Sequence, residues 1–85
     1  MAERAAAPGR GEVVVYSTPL CAPCEELKTY LRGRGVAFRV CDVLIDEAAA
    51  EELERRAIWS APALSVGDTF IEGFDRARID ALLGL

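Results

Sequence analysis

Hydrophobic and polar positions change their spacing several times along the chain, and each change marks an element. Val13-Val14-Val15 forms a continuous apolar run inside Glu12 to Ser17, short and β-branched, which predicts a strand buried on both faces. Ser17-Thr18-Pro19 follows as a turn. From about Cys21 to Arg32 the apolar positions Leu27, Tyr30 and Leu31 fall at helical spacing, and Gly33 and Gly35 supply the stop. Val36 to Val43 reads as a second strand. Asp46 is placed to cap a second helix running to about Ala57, with Ala49, Ala50, Leu53 and Ala57 as one stripe among Glu and Arg. Pro62 rules out its continuation. Ala63 to Val66 and Thr69 to Ile71 are short extended runs about Gly67-Asp68, a hairpin signal. A last helix starts near Asp75 and shows Ile79, Leu82 and Leu83 on one face.

The order β-α-β-α-β-β-α predicts an α/β fold with a four-stranded mixed sheet and helices on both faces. Crossover helices join parallel strands, whereas a two-residue turn joins antiparallel ones. Met1 to Gly11 is rich in Ala, Gly, Arg and Pro without periodicity and reads as a mobile tail, leaving residues 12–85 as one domain. At 85 residues and 52% apolar composition the chain can bury a single small core.

Charge narrows the partners. Ten basic against fourteen acidic residues give a net −4, and the nine arginines and Lys28 are scattered, so the electrostatic footprint of nucleic-acid binding is missing. No stretch reaches the roughly 18 apolar residues of a membrane span, and the start has no apolar leader core, so the reading is cytoplasmic with no membrane partner. Histidine is absent, which removes the commonest acid/base, the commonest metal ligand and any Cys-His protease mechanism.

The chemistry concentrates in Cys21-Ala22-Pro23-Cys24, directly after the first strand and opening the first helix. Cysteines at i and i+3 in a first helical turn lie on one side of it, within the roughly 4.4 to 6.8 Å between Cα atoms that a disulfide requires. Pro23 fits because the amide it removes has no intrahelical partner there. The pair is suited to redox exchange, to a structural bridge or to clipping a soft metal. Tetrahedral zinc is poorly served by three cysteines and no histidine. Cys41 has no partner at redox spacing and reads as a small buried hydrophobe.

Through Tyr16-Ser17-Thr18-Pro19-Leu20-Cys21-Ala22-Pro23-Cys24, Asp42-Val43, Ala61-Pro62 and Gly73-Phe74, the chain from about Val13 to Leu83 resembles the glutaredoxins of the thioredoxin-fold superfamily. Within them it is most similar to the NrdH-type redoxins, which generally take electrons from thioredoxin reductase and reduce ribonucleotide reductase. The resemblance implies a thioredoxin-like fold and a thiol-disulfide oxidoreductase, an electron carrier for disulfide-bearing protein substrates. It implies a monomer without a bound cofactor, and thioredoxin reductase or glutathione as the reductant. Cys21 is then the nucleophile, its thiolate favoured by helix N-terminal amides, and Cys24 resolves the mixed disulfide. Glu25 and Glu26 in the same turn oppose further negative charge, so a reductant is expected, nearer the thioredoxin potential of about −270 mV than the strong oxidant's about −120 mV.

The same resemblance makes Pro62 a cis proline facing the cysteines, with Ala61 offering backbone groups to an incoming segment. Thr18, Ala22 and Pro23 shape the approach. Gly73, Phe74 and Asp75 correspond to the place where glutaredoxins hold the γ-glutamyl end of glutathione, although Asp75 is more simply an N-cap. The basic groups that usually meet glutathione's carboxylates are missing beside the cysteines, while Arg76 and Arg78 stand close to Asp75. Trp59 has two readings, a partner anchor or, the expected one, a side chain buried against the core. An iron–sulfur dimer, known among some glutaredoxins, is the alternative of another class.

Overall fold

The structure, a computed structural model, describes residues 12–85; the expected tail of residues 1–11 lies outside the described residues. Its elements are β1 (Val13–Ser17), α1 (Ala22–Gly33), β2 (Arg39–Asp42), α2 (Glu47–Arg55), β3 (Ala63–Val66), β4 (Thr69–Glu72) and α3 (Arg76–Leu83). The sheet order is β2-β1-β3-β4, with β1 and β2 parallel and the other neighbours antiparallel. This is the four-stranded mixed sheet that the element order predicts, in the thioredoxin-like arrangement that the resemblance implies.

The valine run is apolar throughout because β1 is covered on both sides. Val13 and Val15 join Leu64, Val66 and Ile71 under Leu27 and Leu31 of α1 and Ile79 and Leu83 of α3. Val14 and Tyr16 point the other way, with Cys41 and Ala63, onto Ala49 and Leu53 of α2 and Ile58 beyond it. Strand period 2 thus feeds two cores from one strand.

Two boundaries fall short of the sequence reading for one physical reason. At the end of α1 the Val36 amide donates to the Leu31 carbonyl at 3.0 Å and that of Gly35 to Arg32 at 3.1 Å, with Gly35 at φ +73°. This paired closure satisfies the last carbonyls and turns Val36 back onto the helix, so β2 begins at Arg39 and not at Val36. The end of α2 repeats it: Ile58 donates to Leu53 at 2.9 Å and Ala57 to Glu54 at 3.0 Å. Ala57, at φ +58°, therefore belongs to the closing turn and not to the apolar stripe, and Ile58 is the residue that reaches the core.

Side chains tie the layers together. The Tyr30 hydroxyl of α1 donates to Asp80 of α3 and accepts from Arg34 at 2.9 Å. Arg56, just past α2, lies 4.1 Å over the Phe70 ring of β4. At the lower corner of the sheet Arg39 pairs with Glu12 at 2.8 Å.

Two outcomes follow. Leu64, fully buried on the strand between β1 and β4, leaves a cavity when shortened, so Leu64→Ala should lower the unfolding free energy by about 3 kcal/mol, read from the urea midpoint. Burial raises both the Cys41 thiol and the Tyr16 phenol above their ordinary values of 9.0 and 10.0. The unfolded chain then loses these protons first, so their contribution is intact below about pH 9 and declines as pH rises. Urea midpoints above pH 9 should fall, and fall less steeply in Cys41→Ala.

Candidate active site

Strand register decides where the loops gather. Ser17 pairs with Asp42, and Tyr16 with Ala63, which pairs in turn with Glu72. The ends of β1, β2 and β4 and the beginning of β3 therefore share one edge of the sheet. From it issue the segment leading to Cys21, the turn after Asp42, the approach to Pro62 and the segment at Gly73. Short bonds hold them in place: Val43 donates to the Ser17 carbonyl at 3.0 Å, Gly73 to the Pro62 carbonyl at 2.8 Å and the Ser60 hydroxyl to Glu72 at 2.8 Å.

Cys21 is the N-cap of α1, in extended conformation, and its sulfur accepts the Cys24 amide at 3.1 Å. Helices leave their first amides without intrahelical partners, and Pro23 has none to offer, so the sulfur meets an orphan donor of the first turn. Cys21 and Cys24 are joined as a disulfide with 5.2 Å between their Cα atoms. Cys21 is half-buried, Ala22 and Pro23 are exposed, and Cys24 is 0% exposed beneath them. One sulfur faces outward and its partner faces the core.

Around this pair stand most of the residues singled out from the sequence. Thr18 is half-buried in the turn before Cys21. The Ala61–Pro62 bond is cis, with Pro62 buried and Ala61 half-buried. Gly73, at φ +87°, turns the chain out of β4, and Asp75 caps α3 by accepting the Arg78 amide at 3.2 Å. Phe74 packs 5.7 Å from the Tyr30 ring. Arg76 lies over the Tyr30 and Phe74 rings at 5.4 and 5.8 Å.

Trp59 departs from the expected burial: it is 73% exposed. The closing turn at Ala57 sends Ile58 inward, and its neighbour in the chain is left facing solvent.

Two features escaped the sequence reading. Lys28, one turn after Cys24, pairs with Glu25 at 2.7 Å and so offsets one of the two first-turn carboxylates. The i, i+3 spacing was the available signal. The other is a groove of about 270 Å³ on the α2 side, lined by Val43, Leu44, Leu53, Ile58 and Trp59 and reaching Thr18 and Ala61. Leu44-Ile45, two apolar residues between a strand and the N-cap Asp46, was its sequence trace.

Comparison with known proteins agrees with this geometry. The glutaredoxin family model matches residues 13–71. The chain belongs to the glutaredoxin family. A glutaredoxin-like 8.6 kDa protein of the rubredoxin operon of Clostridium pasteurianum is 32% identical to this redoxin over 72 residues, 84% of this chain and 96% of that one. Among solved structures, the glutaredoxin of Methanosarcina mazei Go1 superposes on the redoxin with TM-score 0.79 at 30% identity, covering 89% of this chain and 81% of that one. NrdH-redoxin of Escherichia coli, a glutaredoxin-like protein with a thioredoxin-like activity profile, gives 0.77 at 27% identity, covering 84% and 93%.

In the reduced redoxin, accessibility and burial set the order of thiol reactivity. Iodoacetamide near neutral pH should label Cys21 first, with Cys24 and Cys41 slower, as read by peptide mass mapping over time. Labelling of Cys41 ahead of Cys21 would contradict the arrangement.

Proposed function

We propose that this protein is a dithiol-disulfide oxidoreductase that reduces protein disulfides and is itself restored by thioredoxin reductase. The observation that carries the reading is the Cys21 sulfur capping α1 at the surface with Cys24 buried one turn behind it. The Cys21 thiolate attacks one sulfur of a substrate disulfide, and the other sulfur leaves as a thiolate that takes a proton. The Cys24 thiolate then attacks Cys21, releasing the second substrate thiol and closing the Cys21–Cys24 disulfide. Two electrons have passed to the substrate, and the reductant returns them.

Pro62 and Ala61 stand on the same sheet edge and would receive the substrate segment, Ala61 through its backbone; Thr18, Ala22 and Pro23 bound the approach. The choice of reductant rests on the α3 side. There a depression of about 570 Å³ is lined by Glu25, Glu26 and Phe74, with Arg76 the one cation lining it among the described residues. Glutathione carries two carboxylates, and with Glu25 paired to Lys28 the depression sets Glu26 against Arg76, leaving no net positive charge to hold them. Gly73, Phe74 and Asp75 would be its contacts if it served as co-substrate. The thioredoxin-like profile of NrdH-redoxin favours thioredoxin reductase, and ribonucleotide reductase is the downstream partner that this kinship suggests.

No helix among the described residues is long and apolar enough to cross a membrane, and a reducing cytoplasm is where such a dithiol would work.

With NADPH and either thioredoxin reductase or glutathione plus its reductase, the first should support disulfide reduction at least about tenfold faster. Cys21→Ser should abolish turnover, and Cys24→Ala should accumulate mixed disulfides on Cys21 visible by mass spectrometry. Full turnover in Cys21→Ser would end the proposal.

A further inference from the structure

The four most exposed large apolar side chains among the described residues are Leu20, Leu44, Ile45 and Trp59. All four lie on loops leaving the sheet edge that carries the cysteines. Packing among the described residues does not account for them, and apolar residues gathered in this way on a surface mark a contact. Leu44 and Trp59 are walls of the 270 Å³ groove, whose floor is formed by Leu53 and Ile58. Pockets that enclose a whole drug-sized ligand run from about 300 to 1,000 Å³, so this one lies just below that range and has room for a bulky side chain. Its far end reaches Thr18 and Ala61, on the approach to Cys21 and beside cis Pro62. A chain laid against Ala61 with its cysteine at Cys21 would therefore drop a neighbouring side chain into the groove.

Charge adds a second preference. Glu54 is on the groove wall, and its carboxylate has no hydrogen-bonding or ionic partner among the described residues. Glu26, on the other side of the cysteines, is exposed. A segment approaching Cys21 passes between these acids, which attract a basic neighbour and repel an acidic one.

We propose that the groove is a specificity pocket for the protein substrate: it takes a bulky aliphatic or aromatic residue adjacent to the target cysteine, and Glu54 favours a lysine or arginine next to that residue. This rests on the disulfide-reductase reading above and names the class of segment on which it acts. Side-chain burial in the groove raises the rate for such segments, and the walls carry the discrimination.

The test uses short peptides whose single cysteine is held as a mixed disulfide with thionitrobenzoate. The reduced protein's Cys21 thiolate attacks the peptide sulfur; the new Cys21–peptide disulfide forms, and thionitrobenzoate leaves as a coloured thiolate. Three peptides carry arginine with leucine, arginine with alanine, or glutamate with leucine beside the cysteine. The arginine-leucine peptide should react about tenfold faster than its alanine counterpart, the discrimination that one apolar pocket can supply. Leu44→Ser and Trp59→Ala, both at exposed positions that leave the core intact, should each bring that ratio towards one. Val40→Ser, at an exposed apolar residue of β2 away from the groove, should leave it unchanged. Glu54→Lys should reverse the order of the arginine and glutamate peptides. Equal rates for the leucine and alanine peptides in the parent protein, or a ratio undiminished in both wall variants, would overturn the pocket. Absence of thionitrobenzoate release from every peptide would instead overturn the redox reading beneath it.

Discussion

One sulfur does two jobs at the start of α1. The helix needs an acceptor for its first amides, and Cys21 supplies it by taking the Cys24 N–H at 3.1 Å. A thiolate accepts such a bond better than a thiol does, so the demand of the helix and the need of the chemistry favour the same protonation state. Pro23 sharpens this by removing a competing donor within the turn. Had a serine or aspartate capped the helix instead, the same geometry would have been stable and without thiol chemistry.

That atom is useful only if its position is fixed, and the sheet fixes it. Every residue of β1 is buried, and both cores converge on this strand, so the segment from Ser17 to Cys21 starts from the most constrained part of the molecule. The Gly73–Pro62 and Ser60–Glu72 bonds fasten the proline loop to the end of β4 independently of the cysteines. The pair thus opens and closes between two supports that do not depend on it. The two flanks of this edge differ in character: the α3 flank is polar, with Glu25 and Glu26 facing Arg76, whereas the α2 flank is an apolar groove with Glu54 on its wall. Under the function proposed above, selection of partners would follow from that contrast more than from the exchange chemistry, which any such dithiol performs.

What could be read from the residues was whatever depends on short-range rules. The Asp46 and Asp75 N-caps, the Gly67-Asp68 hairpin and the double burial of β1 each follow from neighbours within a few positions, and the structure has them where the sequence puts them. The cis Ala61–Pro62 bond was different: spacing alone favours trans, and only kinship suggested otherwise. The misses share a cause. Ala57 in a left-handed conformation is an unusual choice for a helix-closing turn, where glycine is the common signal, so neither the early end of α2 nor the outward Trp59 was visible locally. The groove, likewise, joins residues from four separate segments that only the sheet register brings together.

The third cysteine shows how the fold keeps the redox pair unambiguous. Cys41 receives a bond from Arg39 at 3.3 Å, which by itself would favour a thiolate, yet burial acts in the opposite direction and is the larger effect, so its thiol is raised. Position reinforces this. Cys41 belongs to the core under α2, whereas α1 packs its Leu27 and Leu31 on the opposite face of the sheet, so the strands stand between that thiol and the helix that carries Cys24. A disulfide needs Cα atoms within about 7 Å of each other, and a sheet with its side chains on both faces keeps such a pair apart. Three thiols in an 85-residue chain could scramble; here the sheet and the burial together leave one pair able to exchange.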